Sequence, residues 1–220
     1  MAGFALQLAH LLGGAMLVLS FVLLYQRRLS ALITVYALQA WALGLAAAAL
    51  GVAQGAPHLL LVGFVAVAAK GVAIPLMLRV IVRRLAIRRA IETALGVGPS
   101  MILGVALVAL SILVVMPVTL QAVPLAREDL ATALSVVMLG LVMMISRRSA
   151  ISQVIGFMAL ENGLILAAIA VPGMPLIVEL SVAFLVMLAF IVAGIFVFHI
   201  RARFDSIDVG VLDRVGGVLR

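Results

Sequence analysis

A chain of 220 residues could hold one or two soluble domains by length, but 67% of this one is hydrophobic and 10% charged, against roughly 45–50% and about 25% in an average soluble domain. Its 15 basic and 8 acidic residues cannot cover a globule whose apolar remainder hides inside, and a mean hydropathy of +1.40 makes hydrocarbon the solvent of most of the chain. Without cysteine there is no disulfide, thiolate metal site or iron–sulfur ligation, so no cofactor or metal is expected, and the net charge of +7 is spread between apolar runs where it reads as topology rather than as nucleic-acid binding.

A helix crossing about 30 Å of hydrocarbon needs about 20 apolar residues. The first run, 4–25, lacks a basic leader and stops at Tyr25-Gln26-Arg27-Arg28, which predicts a span rather than a cleaved signal. Runs at 30–53 and 58–81 follow, separated by Gln54-Gly55-Ala56-Pro57. A basic connection from Val80 to Gly98 then divides an N-terminal three-helix part, 1–98, from a four-helix part, 99–200. The second part holds runs at 99–121, 130–146, 149–171 and 175–199, the fifth of the seven being the shortest. The polar tail, 201–220, is expected at the cytoplasmic surface.

Breaks of two kinds alternate along the chain. Arg27-Arg28, Arg79 to Arg89 and Arg147-Arg148 are basic, whereas Gln54 to Pro57, Ala122 to Asp129 and Pro172 to Pro175 are turn-like. Thirteen of the 15 Lys and Arg residues fall in the basic breaks and the tail; the opposite side has Arg127 alone, and Lys70 lies within a span. By the positive-inside rule the expectation is an all-α membrane protein of seven transmembrane helices, N-terminus outside and C-terminus cytoplasmic.

Three charges lie inside spans: Lys70, Glu161 and Glu179. Each costs about 2.5–3.5 kcal/mol at a helix centre on insertion scales, so each must face the bundle interior, a partner or water. At about 1.5 Å per residue, Lys70 and Glu161 both come about 16–18 Å from the outer face, near midplane, and Glu179 about 9 Å from it. Gly63, Ala66, Lys70 and Ala73 share a face of the third span, and small residues there let another backbone approach. Pro75 lacks the N–H that would bond the Gly71 carbonyl, which predicts a disturbed helix beside the charge. Asn162 and Gln153 are expected to give Glu161 polar company. These charges read as a proton or cation relay of Glu161, Glu179 and Lys70, as ion pairs or hydrogen-bonded acids that lock the helices, or as a substrate-binding site in an independent carrier. His10, His58 and His199 read as interfacial polar groups, and the 11 methionines as packing.

The stretches Gly156-Phe-Met-Ala-Leu-Glu161-Asn162-Gly163, Pro172-Gly-Met-Pro-Leu-Ile-Val-Glu179, Ile195-Phe-Val-Phe and Phe204-Asp205-Ser206-Ile207-Asp208 resemble the hydrogenase-4 component E family. The resemblance is closest over 150–213; in the N-terminal half it is looser, through Arg27-Arg28-Leu29 and Tyr36-Ala-Leu-Gln39. That family is related to the K-type membrane subunit of complex I and of multisubunit cation/proton antiporters, whose second and third spans each carry a glutamate. The resemblance implies that Glu161 and Glu179 are those glutamates, although the second lies deeper in the K-type helix than Glu179 does here. It further implies a multi-pass, non-catalytic subunit of the bacterial inner membrane in a complex-I-like or group 4 nickel–iron hydrogenase-type assembly. Its partners would be antiporter-like membrane subunits and, through them, peripheral redox subunits. A sodium/proton antiporter subunit or a structural spacer are the alternatives.

Overall fold

Backbone polar groups in hydrocarbon must be satisfied within the chain, and the apolar runs accordingly close into helices. The computed structural model describes residues 2–84, 95–118 and 124–170. Helix α1 is Ala2–Tyr25, α2 Leu29–Gln54 and α3 Pro57–Val65; a π-helical segment, Ala66–Ala73, leads into α4, Ile74–Arg84. Then come α5, Val97–Val118, α6, Pro124–Ser146, and α7, Ala150–Ala170. Because α3, the π-helical segment and α4 run on as one span, these elements make six helices long and apolar enough to cross a membrane. The run at 175–199 predicted as a seventh span, most of the basic connection and the tail lie outside the described residues.

The turns follow local chemistry. Gly55 ends α2 in the left-handed conformation (φ 64°), its N–H bonded to the Gly51 carbonyl, and Pro57 opens α3 two residues later. At the fifth span the helix begins at Pro124 rather than near 130. Proline suits a helix start, where its missing N–H leaves no hydrogen bond unmade. Residues Arg127 to Asp129, expected in a loop, are therefore helical and lengthen what had looked like an undersized span.

The two central helices are α2 and α7, the most buried of the spans, and the peripheral α5 is the least buried. Helix α1 buries one stripe, Ala9, Gly13, Met16, Ser20 and Leu23, at three- and four-residue steps. Helices α6 and α7 meet at glycine: a Cβ on Gly140 would stand 2.6 Å from Leu160 N, and one on Gly163 2.8 Å from Val137 N. Toward the ends of α2 and α7 at Gln54 and Ala170, Met16, Leu43, Ala46, Ala47, Val136, Ile165, Leu166 and Ile169 form an apolar core.

The third span departs from its predicted face. Gly63, Ala66 and Lys70 are buried, but Ala73 is exposed and Ile74 and Pro75 are buried in its place. A π-turn takes more residues than an α-turn, so the inward face slips by one position beyond Lys70. The cause lies next to it, since Pro75 has no N–H for the α-helical ladder; the Ile74 N–H instead bonds Ala69 O, five residues back.

Candidate functional site

Four spans each send polar side chains to one buried layer. From the π-helical segment, Lys70 Nζ lies 3.0 Å from Glu161 Oε1 of α7 and donates to Asn162 Oδ1 at 3.0 Å. Asn162 Nδ2 donates to Gln39 Oε1 of α2 at 3.3 Å; Gln39 Nε2 donates to Ser20 Oγ of α1 at 2.8 Å, and Ser20 donates to the Met16 carbonyl at 2.8 Å. All five side chains are buried, Lys70 at 0% and Glu161 at 1% exposure. Such charges persist out of water only when paired and hydrogen-bonded.

The sequence explains the assembly. Lys70 sits where the wide π-turn rotates the chain, and Gly63 lets α3 lie against α2, where a Cβ on Gly63 would stand 2.6 Å from Gly44 O. Gly71 lies under Trp41, an added Cβ coming within 3.0 Å of its ring. On α7, Gly156 and Gly163 face α6 while Glu161 and Asn162 face the third span and α2. Glu161 Oε1 faces Lys70 Nζ in the ion pair, and among the described residues Oε2 has no hydrogen-bond donor.

Of the residues singled out from the sequence, Lys70, Glu161 and Asn162 thus come together. Gln153 does not join them: it is exposed, and its Nε2 donates to the Arg147 carbonyl at 2.9 Å. Eight residues of helix, about 12 Å, separate it from Glu161, so it belongs to the turn before α7. Glu179 lies outside the described residues.

Gln39, Ser20 and Tyr36 carry no charge and so do not stand out as intramembrane ions do, although an amide in the middle of an apolar run is itself a signal of an interior contact. Two charged contacts were also unexpected. His10 Nδ1 lies 2.7 Å from Asp129 Oδ1, and Nε2 lies 3.4 Å from Glu128 Oε2, tying α1 to the start of α6. Arg147, counted as a loop cation, is only 2% exposed. Its Nη2 donates to the carbonyls of Leu23 at 3.1 Å and Leu24 at 2.7 Å, at the negative end of α1. Burial, and then the nearby Arg27 charge, lower its pKa from the ordinary arginine value.

The described residues thus define a multi-pass helical membrane protein with a buried ion pair inside its bundle. The chain is 28% identical over 204 residues to an uncharacterized protein of Mycobacterium tuberculosis, Rv0085, a match covering 89% of this chain and 90% of that one. No family model matches the chain. No solved structure matches it.

Proposed function

We propose that this chain is a non-catalytic membrane subunit of a complex-I-like or group 4 nickel–iron hydrogenase-type assembly in a bacterial inner membrane, contributing to a proton path coupled to electron transfer in partner subunits. The observation that carries the reading is the Lys70–Glu161 pair at 3.0 Å, enclosed within the bundle. An intramembrane ionisable pair is expensive and by default functional. The buried amides beside it provide hydrogen bonds that do not depend on either partner's charge.

In this reading Glu161 takes and releases the proton. When it is protonated, Lys70 loses its counter-charge but keeps Asn162, which Gln39 holds from behind; when the proton leaves, the ion pair re-forms. Lys70 thus favours the ionised state, and the apolar surroundings oppose it. Glu179 would supply the second carboxyl on the seventh span, and the likeness to the K-type subunit supports its inclusion. Replacing Glu161 by Gln keeps the shape and removes the titration. Glu161→Gln is expected to assemble normally and lose proton translocation or coupled turnover, with Glu161→Asp retaining part; a Gln variant that assembles and pumps like the parent returns the pair to a helix lock.

The same proposal places the N-terminus outside and the C-terminus in the cytoplasm, across seven spans, on the strength of the basic asymmetry. A cysteine introduced at Ala56 is expected to react with an impermeant thiol reagent in intact cells, and one at Ser149 to stay unlabelled. Labelling at Ser149 from outside overturns that orientation.

A further inference from the structure

Among the described residues the buried Tyr36 hydroxyl and the buried Glu161 Oε2 have no hydrogen-bond partner, whereas Glu161 Oε1 faces Lys70 Nζ. Tyr36 precedes Gln39 by three residues, so the two side chains lie on one face of α2, with Tyr36 a turn nearer to Leu29. Gln39 is bonded to Asn162, the chain neighbour of Glu161, so Tyr36 lies on the side of α2 that faces the Glu161 stretch of α7. Both residues are enclosed, at 0% and 1% exposure. A buried tyrosine hydroxyl ordinarily finds a partner. Leaving such a group unsatisfied is costly, and more so when it is charged.

One small molecule between the two would satisfy both. A buried water is stable where two or more polar groups converge on it; here it can donate to the carboxylate oxygen and accept from the phenol. We propose that Tyr36 and Glu161 hold a bound water between them, and that Tyr36 is thereby the positioning residue for the Glu161 carboxyl. On the opposite side of the layer, Met16, Leu43, Ala46, Val136, Ile165 and Leu166 present an apolar wall. The polar surroundings of the carboxyl therefore extend toward the Leu29 end of α2, the end with the basic breaks. That this water exchanges protons with Glu161 rests on the function proposed above; the bridge itself does not.

The test is infrared spectroscopy of the full chain in lipid nanodiscs, comparing ordinary water with water carrying the heavy oxygen isotope. The parent is expected to show an isotope-sensitive O–H stretching band from a bound water, lost in both Tyr36→Phe and Glu161→Gln and retained in Thr34→Val, whose hydroxyl bonds Arg79 at the exposed end of α2. In Tyr36→Phe the carboxyl band that Glu161→Gln removes should also shift, a change that loss of ring packing alone does not produce because Phe keeps the ring. A water band that survives in Tyr36→Phe, or in Glu161→Gln should the Phe variant fail to fold, overturns the bridge. Retention of pumping by Glu161→Gln overturns the proton-carrier reading and leaves the bridge standing.

Discussion

Helix α7 packs by two different rules on its two sides. Toward α6 it presents Gly156 and Gly163, and the backbones come so close that a single Cβ would overlap main-chain atoms. Toward α2 and the third span it presents Glu161 and Asn162, which bridge to long side chains, Lys70 and Gln39. The first seam is fixed by shape: lipid is as apolar as the side chains, so helices gain little from burying them and associate where backbones can touch. The second is fixed by charge and hydrogen bonding, and some change of shape is affordable there provided every polar group keeps a partner. One helix thus joins a seam of backbone contact to a layer of longer, hydrogen-bonded polar side chains.

The largest effect should come from breaking the charge rule. Lys70→Met keeps an unbranched chain of similar reach and leaves Glu161 buried without its cation, a change that costs about 3–5 kcal/mol at a buried pair. Unfolding in mild detergent should show that loss. In Lys70→Met/Glu161→Gln most of it should return, because neither charge is then stranded. A double variant as unstable as the single one would mean that Lys70 matters by its shape, and the contrast between the two seams would fail.

The shape rule predicts a smaller effect with the opposite chemistry. Gly163→Ala adds one methyl group and no polarity, yet its Cβ meets Val137 N at 2.8 Å and Ala133 O at 3.0 Å, backbone atoms that move only if α6 and α7 separate. Overpacking of this kind costs about 1–3 kcal/mol. Gly14→Ala is the control: nothing lies within 4 Å of its added Cβ, and alanine is the better helix former by about 1 kcal/mol. Thermal midpoints should fall for Gly163→Ala and hold or rise for Gly14→Ala.

Much of this arrangement is legible in the sequence because hydrocarbon leaves few options. Five of the expected runs coincide with helices to within a few residues, and a sixth, α6, begins six residues earlier than expected because a charged stretch concealed its first helical turns. The rise per residue alone puts Lys70 and Glu161 at one depth, and the structure sets the two 3.0 Å apart. What escaped reading had a physical reason in each case. The exposed Ala73 depends on a π-turn, and no 3.6-residue periodicity contains one. Arg147 has the composition of a loop cation; its burial follows from where α1 ends, a contact 123 residues away in sequence. Gln153 lay at a plausible angle to Glu161 but about two helical turns away, and a hydrogen bond does not span that distance.

The smallest effect tests whether the polar layer acts as one unit. Ser20 is its far end: it accepts from Gln39 and donates to the Met16 carbonyl, with Gln39 and Asn162 standing between it and Lys70. Ser20→Ala removes one hydrogen-bond acceptor from Gln39 Nε2 and little volume. Hydrogen bonds between membrane helices average about 0.6 kcal/mol by double-mutant cycles, because the separated helices also find partners, so the expected loss is a few tenths to about 1 kcal/mol. The ion pair should not register it, since the Gln39 carbonyl oxygen still holds Asn162 and Asn162 still holds Lys70. Hydrogen bonds in series can also polarise one another and be worth more together than apart. In that event Ser20→Ala would destabilise nearly as much as Lys70→Met, and the two losses would not add in the double variant. A small, additive loss instead confines the energetic centre to Lys70, Glu161 and Asn162, with α1 and α2 as the frame that holds them.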